Sequence, residues 1–182
     1  RKWTGWVAVL LLWTALAPGA AAESKRYETS FLDVFDTFSQ VVVYADTQED
    51  AQEILQEVHD ELKNYHQLFD IYHAYEGVNN LYTVNQNAGI APVAVDEAVY
   101  ELVAFGKEMF VQTGEKTNMA LGSVLAIWHE YRELGLEKPE YAAIPTVEEL
   151  LAAAKHADIE QVVLDPEERT VYLADPQMSL DV

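Results

Sequence analysis

The longest periodic pattern of apolar and polar positions predicts a helix from Thr47 to about Asp70. Apolar side chains recur there every three or four residues and acidic side chains fill the opposite side, as in a helix with one buried face. Thr47 is an N-cap by residue type, and Asp50 stands at the capping-box position, where Glu or Gln is more usual. The apolar stripe consists of Ile54, Leu55, Val58, Leu62, Tyr65, Leu68 and Phe69.

Similar patterns, together with start and stop signals, predict further helices. The first two cover residues 78–85 and 95–114, and the second of them ends at a glycine suited to the left-handed conformation. Another runs over residues 117–134. The last, VEELLAAAKHA, follows Thr146 as its N-cap and carries Glu149 at the capping-box position.

The predicted helix at residues 117–134 contains Gly122, where glycine costs roughly 1 kcal/mol relative to alanine. Its first part, TNMALGSVLAIW, begins with polar residues and continues as an apolar ridge. A glycine so placed permits a close approach. Either a ligand reaches the helix start, where free N–H groups attract anions and carbonyls, or the helix docks on a sheet and Gly122 allows close packing. The residues alone favour packing.

The strand patterns are short. Val41 to Tyr44 is rich in β-branched and aromatic residues, and residues 161–165 and 170–174 flank PEER as a β-hairpin. Residues 178–182 are predicted to form one more strand, and because no turn or helix follows it, we expect the chain to be truncated at its C-terminus. Residues 23–27 are expected to be a solvated lead. This order of elements predicts an α+β fold with helices packed on a mixed or antiparallel sheet.

Residues 1–22 have the composition of an export signal or an N-terminal anchor. Two basic residues precede an apolar run from Trp6 to Ala17, which is shorter than the roughly 18 residues of a spanning helix. The alanines that follow offer a small-residue cleavage site. We therefore expect residues 23–182 to form the folded domain outside the cytoplasm, in the periplasm or on the outer face of the cell membrane. An uncleaved N-terminus would associate it with the membrane.

The chain carries 31 acidic and 11 basic residues, with a formal charge of −20. We expect no nucleic-acid partner, because phosphate binding needs clustered Lys and Arg. Solubility outside the cell explains the charge; the alternative is that carboxylates attract a divalent cation, which would admit an anionic substrate. The chain has no cysteine, which removes disulfides, thiolate nucleophiles and Cys-based metal sites.

The histidines do not have the spacing of a metal site. His59, His66 and His73 lie seven residues apart, or about 10.5 Å along a helix axis. Neighbouring ligands of one ion prefer three or four residues, so we expect these side chains on the surface or at a rim. His129 and His156 have no partner at a suitable spacing either.

Residues 69–90 are rich in tyrosine and asparagine. A flat tyrosine face and asparagine amides could hold a planar heterocycle. The alternative is a loop, the short helix predicted above and a turn at Asn87–Gly89.

Four short segments are informative as an ordered set. Phe35-Asp-Thr37 precedes a strand, Phe69-Asp-Ile-Tyr72 precedes the segment that ends at Asn85, TNMALGSVLAIW opens a helix, and Ser179-Leu-Asp-Val ends the chain. They are similar to Met-Gly-Thr, S-x-Y…SEI…N, F-D-P-T-V-G-P-L…W and the strand that leads into G-G-I-A-K-G-Y-A in the ApbE family of FAD:protein FMN transferases. The resemblance covers residues 31–182, and it identifies residues 23–182 as the N-terminal portion of an ApbE-like flavin transferase domain.

The resemblance implies a function. Family members cleave the pyrophosphate of FAD with Mg²⁺ and join FMN by a phosphoester to a Thr or Ser of an extracytoplasmic redox-complex subunit. The metal would neutralise charge as AMP departs. We therefore expect a transferase with FAD as its substrate and an acceptor protein as its partner, with the Mg²⁺ ligands beyond Val182 and this fragment inactive alone. The alternative is an exported, non-catalytic module that binds a flavin or another ligand.

The resemblance also implies cofactor-binding positions. Phe35 stands where the family Met touches the flavin, and Tyr72 matches a Tyr that lies beside FAD. Phe for Met keeps an apolar surface against a ring. The other contacts implied are Lys116, Thr117 and Asn118, which occupy the family's FAD-contacting loop, and Asp181, which matches the Asp before the glycine motif. Asn118 stands in place of the family's usual acid and loses its charge.

No catalytic residue or metal ligand is assigned in the chain. Asp36, Asp70 and Asp181 are loose acidic candidates, and the commoner explanation for such residues is a buried or capping carboxylate.

Overall fold

The computed structural model describes residues 24–182, which contain helices packed against two small antiparallel sheets. The strands are β1 (Lys25–Phe31), β2 (Ser39–Ala45), β3 (Val93–Ala94), β4 (Val162–Asp165) and β5 (Thr170–Leu173). The helices are α1 (Gln48–Phe69), α2 (Leu81–Gln86), α3 (Glu97–Gln112), α4 (Gly122–Glu137) and α5 (Val147–Ala153). The predicted α+β class is confirmed, and the sheets are antiparallel rather than mixed.

The two sheets are formed by different parts of the chain. β1 pairs with β2 in a hairpin whose register places Thr29 opposite Val41. The second sheet has the order β3-β5-β4 and includes the predicted hairpin, with Val163 opposite Tyr172. Among residues 24–182, no helix is long and apolar enough to cross a bilayer. Residues 1–22, for which an export signal is predicted, lie outside the described part.

Local signals placed the helix starts well. Thr47 caps α1 through an N–H···Oγ1 bond from Asp50, and Thr146 and Glu149 form a full capping box on α5. α2 and α3 begin later than predicted, because Asn80 and Asp96 act as their N-caps. These short polar side chains satisfy first-turn N–H groups in an extended backbone, so the helix starts after them.

The solvated lead predicted at residues 23–27 is wrong. Residues 25–27 lie in β1, where Tyr27, Thr29 and Phe31 are partly buried and the polar positions between them, Glu28 and Ser30, are exposed. Pairing with β2 and packing against α1 stabilise a strand whose local sequence is polar.

The final strand predicted at residues 178–182 is also wrong. The segment has no sheet neighbour, yet Met178 and Leu180 are buried. Its backbone bonds to the Asn85 side chain, the Met119 carbonyl and the Gly122 N–H instead. Alternating apolar positions therefore give an extended segment whose hydrogen bonds go to helix ends.

Gly122 lies at the start of α4, after a short 3₁₀ turn at Met119–Leu121, and not inside the helix as predicted. Its N–H donates to the Ser179 carbonyl at 3.1 Å. A Cβ there would lie 2.5 Å from that carbonyl oxygen and 2.7 Å from its carbon, closer than real atoms pack. Close packing at this glycine is confirmed, but its neighbour is the extended C-terminal segment and not a sheet.

One core joins the helices to the three-stranded sheet. It is formed by apolar residues from α2, α3, the β4–β5 hairpin and the C-terminal segment. Burying each large aliphatic side chain contributes about 1.5–3 kcal/mol. The most deeply buried are Leu81, Val84, Val99, Val103, Ile159, Val162, Val171, Leu173 and Leu180.

Candidate functional site

A cleft of about 400 Å³ opens between the β1–β2 loop, the C-terminal end of α1 and the C-terminal segment. Its size is that of a small-molecule site. Its walls are largely apolar, with three carboxylates at the margins. The lining residues are Phe35, Asp36, His66, Phe69, Asp70, Ile71, Tyr72, Leu102, Asp181 and Val182.

The β1–β2 loop brings Phe35 to this cleft. Phe35 and Asp36 both have left-handed backbones, with φ of 56° and 48°, a conformation that costs non-glycine residues energy. The Phe35 N–H donates to His66 Nδ1 at 3.1 Å, and the two rings pack edge to face. Val34 is fully buried beneath the loop. The loop is therefore fixed to α1, and it holds the Phe35 ring at the opening of the cleft.

Asp70 organises the turn that follows α1. Its carboxylate accepts hydrogen bonds from the Tyr72 N–H at 2.6 Å, the His73 N–H at 3.1 Å, His73 Nδ1 at 2.9 Å and the Tyr75 hydroxyl at 2.8 Å. Burial by itself raises the pKa of Asp70, but these bonds outweigh it and hold the pKa below its ordinary value. Burial and Asp70 raise the pKa of Tyr75 to about 12. Asp70 is a capping carboxylate that fixes the backbone of Tyr72.

The side chain of Tyr72 reaches across the cleft to α4. Its hydroxyl lies 3.0 Å from His129 Nε2, and the two rings meet at 90° with centroids 5.8 Å apart. His129 Nε2 is also 3.8 Å from Asp181 Oδ2. Burial, followed by the negative charge of Asp181, raises the pKa of the Tyr72 hydroxyl. The phenol therefore keeps its proton at neutral pH.

A second cavity of about 270 Å³ begins on the far side of Tyr72. It shares Ile71, Tyr72 and Asp181 with the cleft, and α2, α4 and the C-terminal segment complete it. The Tyr72 ring thus stands as a partition between two spaces.

Asp181 is placed in the cleft by a contact that the sequence analysis missed. The side chain of Asn85 donates to the Leu180 carbonyl at 3.0 Å and accepts from the Leu180 N–H at 2.8 Å. The Asp181 N–H donates to the Met119 carbonyl at 2.9 Å. The partners are 95 residues apart in sequence, and the one signal for this contact was the asparagine that ends the second motif.

The asparagines of residues 69–90 do not form a binding face. Asn80 is fully buried; it caps α2 and donates to the Gln67 and His73 carbonyls. The other amides also bond to backbone groups. The loop, short helix and turn describe this segment, with Gly89 in the left-handed conformation, and it contributes Phe69, Asp70, Ile71 and Tyr72 to the cleft.

The loop at residues 116–118 lies apart from both cavities. Asn118 accepts from the Ala120 N–H at 2.9 Å and donates to the Ala157 carbonyl at 2.8 Å, and Thr117 bonds to the Thr113 hydroxyl. Both side chains therefore hold local backbone and neighbouring turns. Contact between Lys116, Thr117 or Asn118 and FAD stays a prediction, whereas Phe35, Tyr72 and Asp181 do meet at one cleft.

The histidines of α1 and the turn after it have separate partners. The His59 ring stacks on Phe31, and its Nε2 atom lies 3.1 Å from Asp33 Oδ1. His73 Nδ1 bonds to Asp70 Oδ2. The other two histidines, for which the spacing in sequence offered no metal-ligand partner, also have contacts of their own. His129 contacts Tyr72, and His156 lies 2.7 Å from Asp175, because the fold joins residues that their spacing in sequence does not. Within residues 24–182, no group of three or more His, Asp or Glu side chains is placed to hold a metal ion.

Comparison with known proteins gives a family match over most of the chain. The model of the ApbE family matches residues 35–182. A curated relative, the FAD:protein FMN transferase of Treponema pallidum (strain Nichols), is 28% identical over 189 residues, which are 99% of this chain and 48% of that protein.

Solved structures share the fold. The ApbE protein of Thermotoga maritima superposes with a TM-score of 0.69 at 20% identity, covering 86% of this chain and 47% of that one. The flavin transferase ApbE of Vibrio cholerae gives a TM-score of 0.68 at 17% identity, covering 87% of this chain and 48% of that one. This chain thus spans about half the length of the relatives it matches.

Proposed function

Because the chain belongs to the ApbE family, we propose that it is part of an enzyme that transfers FMN from FAD to a Thr or Ser of an acceptor protein. One observation carries the proposal. Phe35 and Tyr72, which the resemblance matches to positions beside the flavin, and Asp181, which it matches to the Asp before the glycine motif, come from distant parts of the chain and line the same cleft.

The cleft suits a planar ring system. Phe35, Ile71 and Leu102 offer apolar contact, and the Tyr72 ring offers a face or edge for stacking. The Asp181 carboxylate can accept a hydrogen bond from a ring N–H. The isoalloxazine of FAD combines these features, since it is flat, largely apolar and has an imide N–H.

The proposed reaction exchanges one phosphorus–oxygen bond for another. The acceptor hydroxyl loses its proton and its oxygen bonds to the FMN phosphorus, while the phosphoanhydride of FAD breaks and AMP leaves with the electron pair. Residues of the cleft would hold the flavin half of FAD in position for this step.

Mg²⁺ would neutralise the pyrophosphate charge. The described residues do not fit that ion, because they contain no cluster of three metal-ligating side chains and Asp70 is already occupied by four donors. We propose that the reaction needs Mg²⁺ and that its ligands lie outside residues 24–182.

The test is to incubate the full-length protein with FAD, Mg²⁺ and a Thr-bearing acceptor subunit, and to measure AMP release and covalent flavin fluorescence on the acceptor. In parallel, Tyr72→Ala should weaken FAD binding by roughly tenfold, as expected when an aromatic stacking partner is lost. Tyr44→Ala is the matched control, because Tyr44 is exposed on β2 and away from the cleft. Unchanged FAD affinity in Tyr72→Ala would remove Tyr72 from the site.

The second candidate function is an exported module that binds a flavin without chemistry. Its support is the cleft itself, whose apolar and aromatic lining suits a planar ring without requiring a reaction. The same assay separates the two: both functions predict FAD binding, and the transferase alone predicts AMP and a flavinylated acceptor. FAD binding with no AMP under any metal would support the binding module.

We also propose that the protein acts outside the cytoplasm. The support is the pattern of residues 1–22, two basic residues followed by an apolar run and small residues. Fractionation of cells followed by N-terminal sequencing tests it. A mature protein that begins at Glu23 indicates a cleaved signal, an intact N-terminus in the membrane fraction indicates an anchor, and recovery from the cytoplasm contradicts export.

A further inference from the structure

His129 contacts two of the residues implied in flavin binding, although no motif pointed to it. It lies on α4, its side chain is about one-third exposed, and its Nε2 atom lies 3.0 Å from the Tyr72 hydroxyl and 3.8 Å from Asp181 Oδ2. The first distance is a hydrogen bond and the second is too long for one.

We propose that His129 is a positioning residue. It holds the Tyr72 ring in one orientation between the two cavities and thereby sets the affinity for the flavin ring. The flavin part of this inference rests on the proposed function. The positioning part concerns the protein without ligand.

Tyr72 needs such support. Asp70 fixes the backbone of Tyr72 through its N–H, which leaves the rotation of the side chain undetermined. The residue is 53% exposed, so packing alone does not set the ring orientation. Among the described residues, the hydroxyl has its hydrogen bond with His129. A ring already held in its binding orientation loses less entropy when a ligand arrives.

Burial and the negative charge of Asp181 disfavour ionisation of Tyr72, Asp70 and Asp36 add to this effect, and Arg132 on α4 opposes it. The phenol therefore keeps its proton, and either the phenol O–H or an imidazole N–H can donate in this bond.

Two substitutions distinguish the effect of the hydrogen bond on FAD affinity from the effect of ring size. His129→Phe keeps a planar ring and removes the hydrogen-bonding nitrogen, and we expect FAD affinity in the full-length protein to fall by about three- to tenfold, the value of one net hydrogen bond. His129→Gln places an amide, which can accept or donate, near the former Nε2, and it should keep the affinity within about twofold of wild type. Equal loss in both variants would overturn the proposal.

A matched control and a second background make the test specific. His156→Phe breaks a His–Asp contact of similar kind far from the cleft, and it should leave FAD affinity unchanged. In a Tyr72→Phe background, His129→Phe should have no further effect, because the shared bond is already absent. A full additional loss in that background would contradict the inference.

The protein without FAD gives an independent reading. With ¹⁵N-labelled histidine, the His129 Nε2 signal should shift in Tyr72→Phe, because the nitrogen loses its hydrogen-bond partner. An Nε2 signal that does not respond to Tyr72→Phe would overturn the positioning role. If wild-type protein binds no FAD, the proposed function and the flavin part of this inference fail, and the nitrogen signal still decides the positioning part.

Discussion

At the scale of single residues, Gly122 shows how one missing side chain shapes the site. The absence of a Cβ lets the Ser179 carbonyl reach the start of α4, and the next residues of that segment bring Asp181 to the cleft. α4 contains a second glycine, Gly135, whose nearest neighbour would be Ala142 at 3.4 Å from an added Cβ. The two glycines therefore differ in what surrounds them.

We predict opposite effects when these glycines are changed to alanine. Gly122→Ala should lower the free energy of unfolding by about 1–3 kcal/mol. The new methyl group would collide with the Ser179 backbone, which cannot move away because its segment is fixed by hydrogen bonds to Met119 and Asn85. Gly135→Ala should raise it by about 0.5–1 kcal/mol, because alanine is the better helix residue. Urea unfolding of both variants measures the difference, and destabilisation of the same size in both would contradict the packing argument.

The cleft residues that short motifs singled out and those that the motifs missed differ in how far along the chain their partners lie. Phe35, Tyr72 and Asp181 were found through short motifs, while Asp70 showed its capping role only in the turn it forms. His129 was missed, because its partner Tyr72 lies 57 residues earlier in the chain. A single sequence carries local pattern, and contacts of that range are set by tertiary packing.

At the scale of elements, the same division holds. α1, α5 and the β4–β5 hairpin were predicted because caps, periodicity and turn residues act within a few positions. β1 and the C-terminal segment were not, since a polar strand is stabilised by its neighbours and an extended segment becomes a strand only when another strand pairs with it.

The docking of the β1–β2 hairpin on α1 gives a prediction about pH. His59 and then Lys63, each bonded to Asp33, lower the pKa of that carboxyl from 3.8 to about 2. A depressed carboxyl pKa stabilises the folded state above the unfolded value and loses that contribution as the pH falls through the folded value. The stabilisation from Asp33 should therefore be complete above about pH 4 and vanish near pH 2.

Asp33→Asn tests this window. The difference in unfolding free energy between wild type and variant should shrink towards zero as the pH falls from about 4 to about 2. High salt should reduce it, since the pair is exposed. Urea titrations across the pH range measure it, and a difference that persists unchanged at pH 2 would contradict the assignment.

At the scale of the whole molecule, Asn85 links α2 to the C-terminal segment that forms one wall of the cleft. It lies at the end of α2, close behind the turn that carries Tyr72, and it holds the backbone that carries Asp181. One amide thus connects the tyrosine and aspartate walls of the cleft.

We predict that Asn85→Ala lowers both stability and FAD affinity. Two partly buried backbone groups of Leu180 lose their partners, which costs about 1–3 kcal/mol, and Asp181 loses its fixed position. Asn79→Ala is the control, because Asn79 is exposed and makes one bond to the Ala94 carbonyl. Thermal unfolding and FAD titration measure the two effects, and a loss no greater than that of the control would refute the role of Asn85.

The position of the cleft has a further consequence for a chain that contains no cysteine. Its walls come from near residue 35 and from residues 181–182, so any ligand that fills it bridges segments separated by nearly the whole described chain. Such a ligand acts as a reversible cross-link, which binds the folded state and leaves the unfolded state untouched. A chain without cysteine would then gain, while the ligand is bound, a reversible link between residues 35–36 and residues 181–182.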